Sequence, residues 1–294
     1  PPAIQWAEEA LYIPRRQVRA LLYRLAAEYR PTSRDYLANF FWGDLPESAA
    51  RRNLSRLLVY LARQLPDPDT LQIGENSIGL NPGRVWVDTR AFEQHWEDWK
   101  LQHRCEELQA AATLYRGLFL EGFSLASNPE YDHWTSLEGE NWEQRYLKTL
   151  RTLIDECAAQ GHSSQAIEYA RQYLQHNDLA EEVHCRLIEL YATLGERSAA
   201  LHQYEQCSIT LERELGVRPT PETIAAYRAA LNQKPAAEQP AVGLPGWTTL
   251  PGLSAPFIGR QEIMQQLDQS LRSAQEGRGK VVLLSGEAGI GKSR

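Results

Sequence analysis

The sequence predicts a mainly α-helical chain in three parts. A small domain of short strands and three helices comes first, an all-helical repeat domain second, and, past a proline-rich linker, the first strand and phosphate loop of an α/β unit. Three observations predict this. A leucine-striped helix with an arginine face occupies residues 48–65 between Pro46 and Pro66, a 34-residue period runs through residues 153–204, and the apolar run KVVLLS opens directly into GEAGIGKS.

A chain of 294 residues that is 43% hydrophobic and 23% charged is long enough for two or more globular domains. Its net charge of -7 argues against a generally adhesive nucleic-acid binder, but the charge is uneven. Residues 1–95 hold 12 of the 31 basic and 11 of the 38 acidic residues, so this part is slightly positive while the remainder is net -8. Any DNA contact is therefore expected at the N-terminal end. Cys105, Cys157, Cys185 and Cys207 show no CxxC spacing, which argues against zinc and for reduced, helix-packing thiols of a cytoplasmic protein. The histidines are scattered and none is given a catalytic role, and no apolar run reads as a signal peptide or a membrane span. The first residue is not Met and the last lies inside a motif, so the chain is expected to be a piece of a longer protein.

In order along the chain, Ile4 and Trp6, then Leu11 and Ile13, alternate around Glu8 and Glu9 as two strands. Val18, Leu21, Leu22, Leu25 and Ala26 predict a helix over 18–29, ended by Pro31. Residues Thr32-Ser33-Arg34-Asp35 read as a capping box opening a second helix, with Leu37, Phe40, Phe41 and Trp42 inward. The third helix buries Ala50, Leu54, Leu57, Leu58, Leu61 and Leu65. At about 100° per residue, Arg52, Arg56, Val59 and Arg63 fall in one arc on its opposite face, flanked by Ser55 and Tyr60. An amphipathic helix that merely solvates its arginines is the plain alternative. Guanidinium groups with one Val in reach of a thymine methyl suit a helix laid in a DNA major groove. Leu71 and Ile73 then face Ile78 and Leu80 across a turn at Asn76-Ser77, and Val85 with Val87 adds a further strand. The candidate DNA contacts are Arg51, Arg52, Ser55, Arg56, Val59, Tyr60 and Arg63 on the helix, with Asn76 and Ser77 at the turn. No Lys or Arg falls between Arg63 and Arg84, and Glu75 stands in the turn, so the hairpin offers DNA only Asn76, Ser77 and backbone amides.

A small sheet, three helices and a terminal hairpin, with SRDYLANFFW and ARRNLSRLLVYL as second and third helices, resemble the winged helix-turn-helix DNA-binding domain of the OmpR type over about residues 3–93. The resemblance implies that the third helix reads DNA and that the hairpin is the wing.

Helical periodicity dominates residues 94–231. Leu153, Ile154, Ala158, Gly161, Ala166 and Ala170 are followed 34 residues later by Leu187, Ile188, Ala192, Gly195, Ala200 and Tyr204. Gly at the turn and a small residue five later form the tetratricopeptide (TPR) pattern, and helices at about 108–120 and 223–231 are expected to cap the stack. LYRGLFLEGF, the Trp134 segment and the run YEQC to ELGV and Pro219 resemble the bacterial transcriptional activation domain that follows a winged helix in regulators of the SARP class. That resemblance implies a module for dimerisation or contact with RNA polymerase.

Residues 232–256 carry Pro235, Pro240, Pro245, Pro251 and Pro256 and read as an extended linker. Residues 257–294 read as the truncated start of a P-loop domain. Gly286, Gly289 and Gly291 free backbone amides to wrap phosphate, Lys292 adds charge at the outer phosphates, and Ser293 reaches a nucleotide-bound Mg²⁺. FIGR before the strand and GEAGIGKS after it resemble STAND-class signalling ATPases, which implies ATP and Mg²⁺ in the full-length protein, with no cofactor required by this fragment and a slow ATPase only in the whole.

The expected function is thus a cytoplasmic transcriptional activator: the winged helix binds double-stranded promoter DNA, the repeat module contacts a second copy or RNA polymerase, and an ATP-driven domain gates both. The competing reading is an ATPase switch whose winged helix and repeats bind protein partners. No membrane contact is expected.

Overall fold

The computed structural model of the chain describes residues 2–28, 30–126 and 128–232. The expected linker and P-loop unit, with Gly286, Gly289, Gly291, Lys292 and Ser293, lie outside the described residues.

Strands β1 (Gln5–Trp6) and β2 (Glu9–Ala10) pair antiparallel through a two-residue turn. Ala7 and Glu8 both have positive φ (48° and 68°), the hairpin geometry whose twist matches the flanking strands. Ile13 leaves this hairpin for the core. Helix α1 (Arg16–Ala26) buries Val18, Leu21, Leu22 and Leu25, starting earlier and ending sooner than its apolar spacing predicts.

The capping box expected at residues 32–35 is not formed. Thr32 and Ser33 are strand β3, and Ser33 makes no side-chain bond to the helix that follows, α2 (Arg34–Trp42). A ladder partner replaces the cap: Thr32 pairs with Ile78, and the Arg34 amide donates to the Asn76 carbonyl at 3.0 Å. Helix α3 (Glu47–Gln64) follows Pro46 and buries the expected leucines, with Leu65 only partly covered. It ends at extended Leu65, because the residue before a proline is pushed out of the helical region.

Strands β4 (Leu71–Ile73) and β5 (Ser77–Leu80) form the terminal hairpin, and the sheet order is β3-β5-β4. At Gly79 β5 passes close to Pro31, where a Cβ would stand 3.1 Å from the Pro31 Cα, tighter than ordinary contact. The strand expected at Val85 and Val87 is absent. The central strand β5 already has a neighbour on each edge, so Val85 packs on the core as loop and Val87 precedes a helix.

That helix, α4 (Asp88–Gln102), spans the domain boundary expected near residue 93. Helix α5 (Cys105–Leu114) stops six residues before the expected Leu120. The loop after it takes positive φ at Gly117, Leu120 and Gly122 and delivers Phe123 and Leu125 into the core of the first three helices.

Helix α6 (Pro129–Ala159) has 31 residues and, at about 1.5 Å per residue, is roughly 46 Å long. Its N-terminal end puts Tyr131 in the first core; its C-terminal half puts Leu150, Ile154 and Cys157 in the second. The repeat pairs are α6 with α7 (Ser163–His176) and α8 (Glu181–Thr193) with α9 (Arg197–Leu215), closed by α10 (Pro221–Asn232). Gly161 and Gly195 end their helices alike. With φ of 78° and 75° they let His162 donate to the Cys157 carbonyl and Glu196 to that of Tyr191, a Schellman closure in both copies. Ala166, Ala170 and Ala200 are fully buried where paired helices approach, and Tyr204 stacks on Tyr227 of the capping helix at 4.1 Å. The buried thiol of Cys207 is pushed up to about 12, so it acts as a packing group. Among the described residues no helix is long and apolar enough to cross a membrane.

Candidate nucleic-acid interface

The leucine stripe fixes which way α3 turns its arginines. Leu54, Leu57, Leu58 and Leu61 are buried, so Arg52, Arg56 and Arg63 are exposed on the opposite side, where none has an ion-pair partner among the described residues. Val59 lies among them, 53% exposed. The structure thus brings four of the expected contacts onto one open surface.

The other expected helix contacts differ in how free they are. Arg51 is committed within the domain, its Nε 2.8 Å from Asp35 and its Nη2 2.7 Å from Glu47. The hydrogen bond and charge of Asp35, then the charge of Glu47, raise the Arg51 pKa. The Ser55 hydroxyl donates to the Arg51 carbonyl at 2.9 Å and accepts from Arg34 Nη2 at 3.3 Å. Tyr60 is half-buried against the core beneath the Arg15 guanidinium, 3.9 Å from its ring centre, which removes it from the exposed arc.

In the wing, the turn is Gly74–Asn76 rather than Asn76-Ser77, with the Gly74 amide donating to the Ser77 carbonyl at 2.8 Å. Asn76 is exposed at the tip beside Glu75, whereas Ser77 is the first residue of β5 and is paired with Ser33. Because β3 binds that strand, Arg34 is brought beside α3, a position the sequence reasoning missed. Ile73 of the wing strand, expected only as the partner of Ile78 and Leu80 across the turn, is half exposed beside α3. The signal for Arg34 lies in the Thr32-Ser33 pair, which forms a strand where the sequence reads a cap.

The platform beneath α3 is shared with the repeat part. Arg24 of α1 is 5% exposed, pairs with Glu28, and places its guanidinium 4.7 Å from the Trp134 ring centre of α6 and 5.2 Å from that of Phe40. Burial pushes the Tyr131 phenol far above its usual range, so it is neutral in this core.

Comparison with known proteins bears first on the helical part of the chain. Residues 87–231 match the bacterial transcriptional activator domain family, which places that domain over α4 to α10. The chain is 28% identical over 285 residues to the regulatory protein AfsR of Streptomyces griseus, a likeness covering 94% of this chain and 28% of the relative. The chain therefore spans less than a third of the length of that curated relative. Among solved structures it resembles EmbR of Mycobacterium tuberculosis in complex with a low-affinity phosphopeptide. That likeness has a TM-score of 0.59 at 20% identity over 79% of this chain and 63% of the other, and shows a shared fold. The helical part thus matches the activator-domain family, and the solved structure shares the fold.

Proposed function

We propose that this chain is the DNA-reading part of a bacterial transcriptional activator, in which α3 enters the major groove of promoter DNA and the helical repeats contact a protein partner. The observation that carries the reading is the row Arg52, Arg56 and Arg63, exposed and free of acidic partners among the described residues, on the third helix of a winged-helix platform. Unpaired guanidinium groups on a helix can meet base edges and phosphates without first breaking an ion pair. Asn76 and the wing amides add phosphate contacts.

The protein partner of the repeats is proposed to be RNA polymerase or a second copy of the chain. A nucleotide-gated domain is proposed for the full-length protein on the motif Gly286 to Ser293, with Lys292 and Ser293 holding ATP and Mg²⁺. A cytoplasmic location accompanies both. The second reading, a winged helix that binds protein, is favoured by Glu75 at the wing tip and by the phosphopeptide bound to EmbR.

Mobility shift on promoter DNA across a salt series tests the choice. Affinity that falls steeply with salt, and drops further in Arg52→Ala plus Arg56→Ala, is expected. Binding unchanged by that double substitution overturns the assignment of α3, and no DNA binding at low salt favours the protein-binding reading.

A further inference from the structure

The DNA-facing side of α3 is not uniformly basic. Between that helix and the wing strand lies a shallow concavity of about 390 Å³, floored by buried Leu58 and walled by Val59, Ala62 and Ile73. Val59 and Ile73 are 53% and 50% exposed, apolar surface left in water that covering would stabilise. Arg34 and Arg63 stand at the rim, and no acidic residue lines the cup. Ser55, its one uncharged polar neighbour, is already engaged as donor to Arg51 and acceptor from Arg34. The cup therefore presents apolar atoms inside and cations outside, with no unused uncharged polar side chain to read a base edge.

We propose that this concavity receives the C5-methyl group of thymine, so that the preferred ligand is duplex DNA with thymine at the base step facing Val59 and Ile73. The inference rests on the DNA-binding reading above and adds a base preference to it. In the major groove the thymine methyl is the apolar feature among hydrogen-bonding edges, which is what such a cup can select. Phosphates flank every base step, and Arg34 and Arg63 are placed to meet them. An apolar peptide segment would fill the same hollow but gives the cationic rim nothing to pair with.

Replacing thymine by uracil removes only the methyl and keeps the base pair. The 294-residue chain is used to select duplexes from a random-sequence library, and the recovered DNA is resynthesised with uracil at each thymine in turn. Binding is expected to weaken about fourfold at one or two positions, the effect of exposing roughly one methyl-sized group. Val59→Ala plus Ile73→Ala is expected to erase that preference while keeping the salt dependence. Arg34→Gln is expected to weaken thymine and uracil duplexes equally and to lower the salt slope by about one. Uracil tolerated at every position overturns the inference and leaves DNA binding intact. Failure to retain any duplex at low salt overturns the DNA reading as well. The uracil scan on the unsubstituted chain decides the matter even where the double variant does not fold.

Discussion

The Asn128 side chain donates to the Phe40 carbonyl at 3.0 Å, across 88 residues of sequence, with a second contact to the Phe41 carbonyl at 3.3 Å. Both carbonyls lie in the last turn of α2, where no helical amide remains to meet them. The same side chain accepts the Tyr131 amide at 2.9 Å and so opens α6. One buried amide thus closes α2 and starts the helix that runs through the repeats. The α2 helix, which packs on the arginine-bearing α3, and the helix that continues into the repeats are therefore tied directly to each other.

Asn128→Ala leaves two buried carbonyls unmet and removes a cap, and the expected loss is about 2–4 kcal/mol by urea unfolding. Asn128→Asp restores the cap oxygen but turns a second oxygen toward the two carbonyls. Rescue by Asp would show that the cap matters and the bond to α2 does not; no rescue is expected.

Arg24 makes the second tie between the two halves. Its guanidinium is buried, donates to Tyr36 Oη at 3.2 Å, pairs with Glu28 and lies against Trp134. Arg24→Ala opens a void and strips Glu28 of its partner, with an expected loss of roughly 3–5 kcal/mol. Arg24→Met fills the space without the charge and is expected to recover more than half of that loss, because an ion pair to the partly exposed Glu28 adds little over apolar packing of equal volume. Thermal unfolding of the two variants side by side reads the difference.

These ties explain which features could be read from residues alone. The α3 leucine stripe and the glycine-ended repeats were legible because each is written within one helix or one period of 34 residues. The misread Thr32-Ser33 and the absent strand at Val85 depend on which strand edges β5 leaves open, a choice made by residues far along the chain. Phe123, Leu125 and Tyr131 look like repeat residues and are packed instead in the first core. On the candidate face, the row Arg52, Arg56, Arg63 followed from helical spacing, while the engagement of Arg51 and Tyr60 depended on Asp35 and Arg15, which lie on other elements.

The arginines of α3 are accordingly expected to separate in a DNA-binding assay. Arg52 and Arg56 have no protein partner among the described residues, and substitution of either by Ala is expected to weaken DNA binding by about 1–3 kcal/mol where it meets a base, or to make the salt slope shallower where it meets a phosphate. Arg51→Ala is expected to weaken binding less, because its guanidinium already serves Asp35 and Glu47. A larger effect at Arg51 than at Arg52 in the same mobility-shift series would mean that DNA draws Arg51 out of its ion pairs.

Glu181 gives the repeat part a dependence on pH. It is the first residue of α8, and Thr220 donates to its Oε1 from both the amide, at 2.5 Å, and the hydroxyl, at 2.7 Å, tying the start of α8 to the residue before α10. Partial burial alone would raise its pKa, but hydrogen bonds from Thr223 and Thr220 outweigh burial and lower it below the ordinary 4.5. A carboxyl whose pKa is lower folded than unfolded stabilises the fold in its ionised form. Its contribution is complete above the unfolded value and is lost as pH falls through the lowered one. Glu181→Gln is therefore expected to lower the urea midpoint at neutral pH, with the gap to the unsubstituted chain shrinking steadily as the solution is acidified below the ordinary carboxylate value. A gap of constant size down to strongly acid pH would assign the effect to lost hydrogen-bond geometry instead of charge.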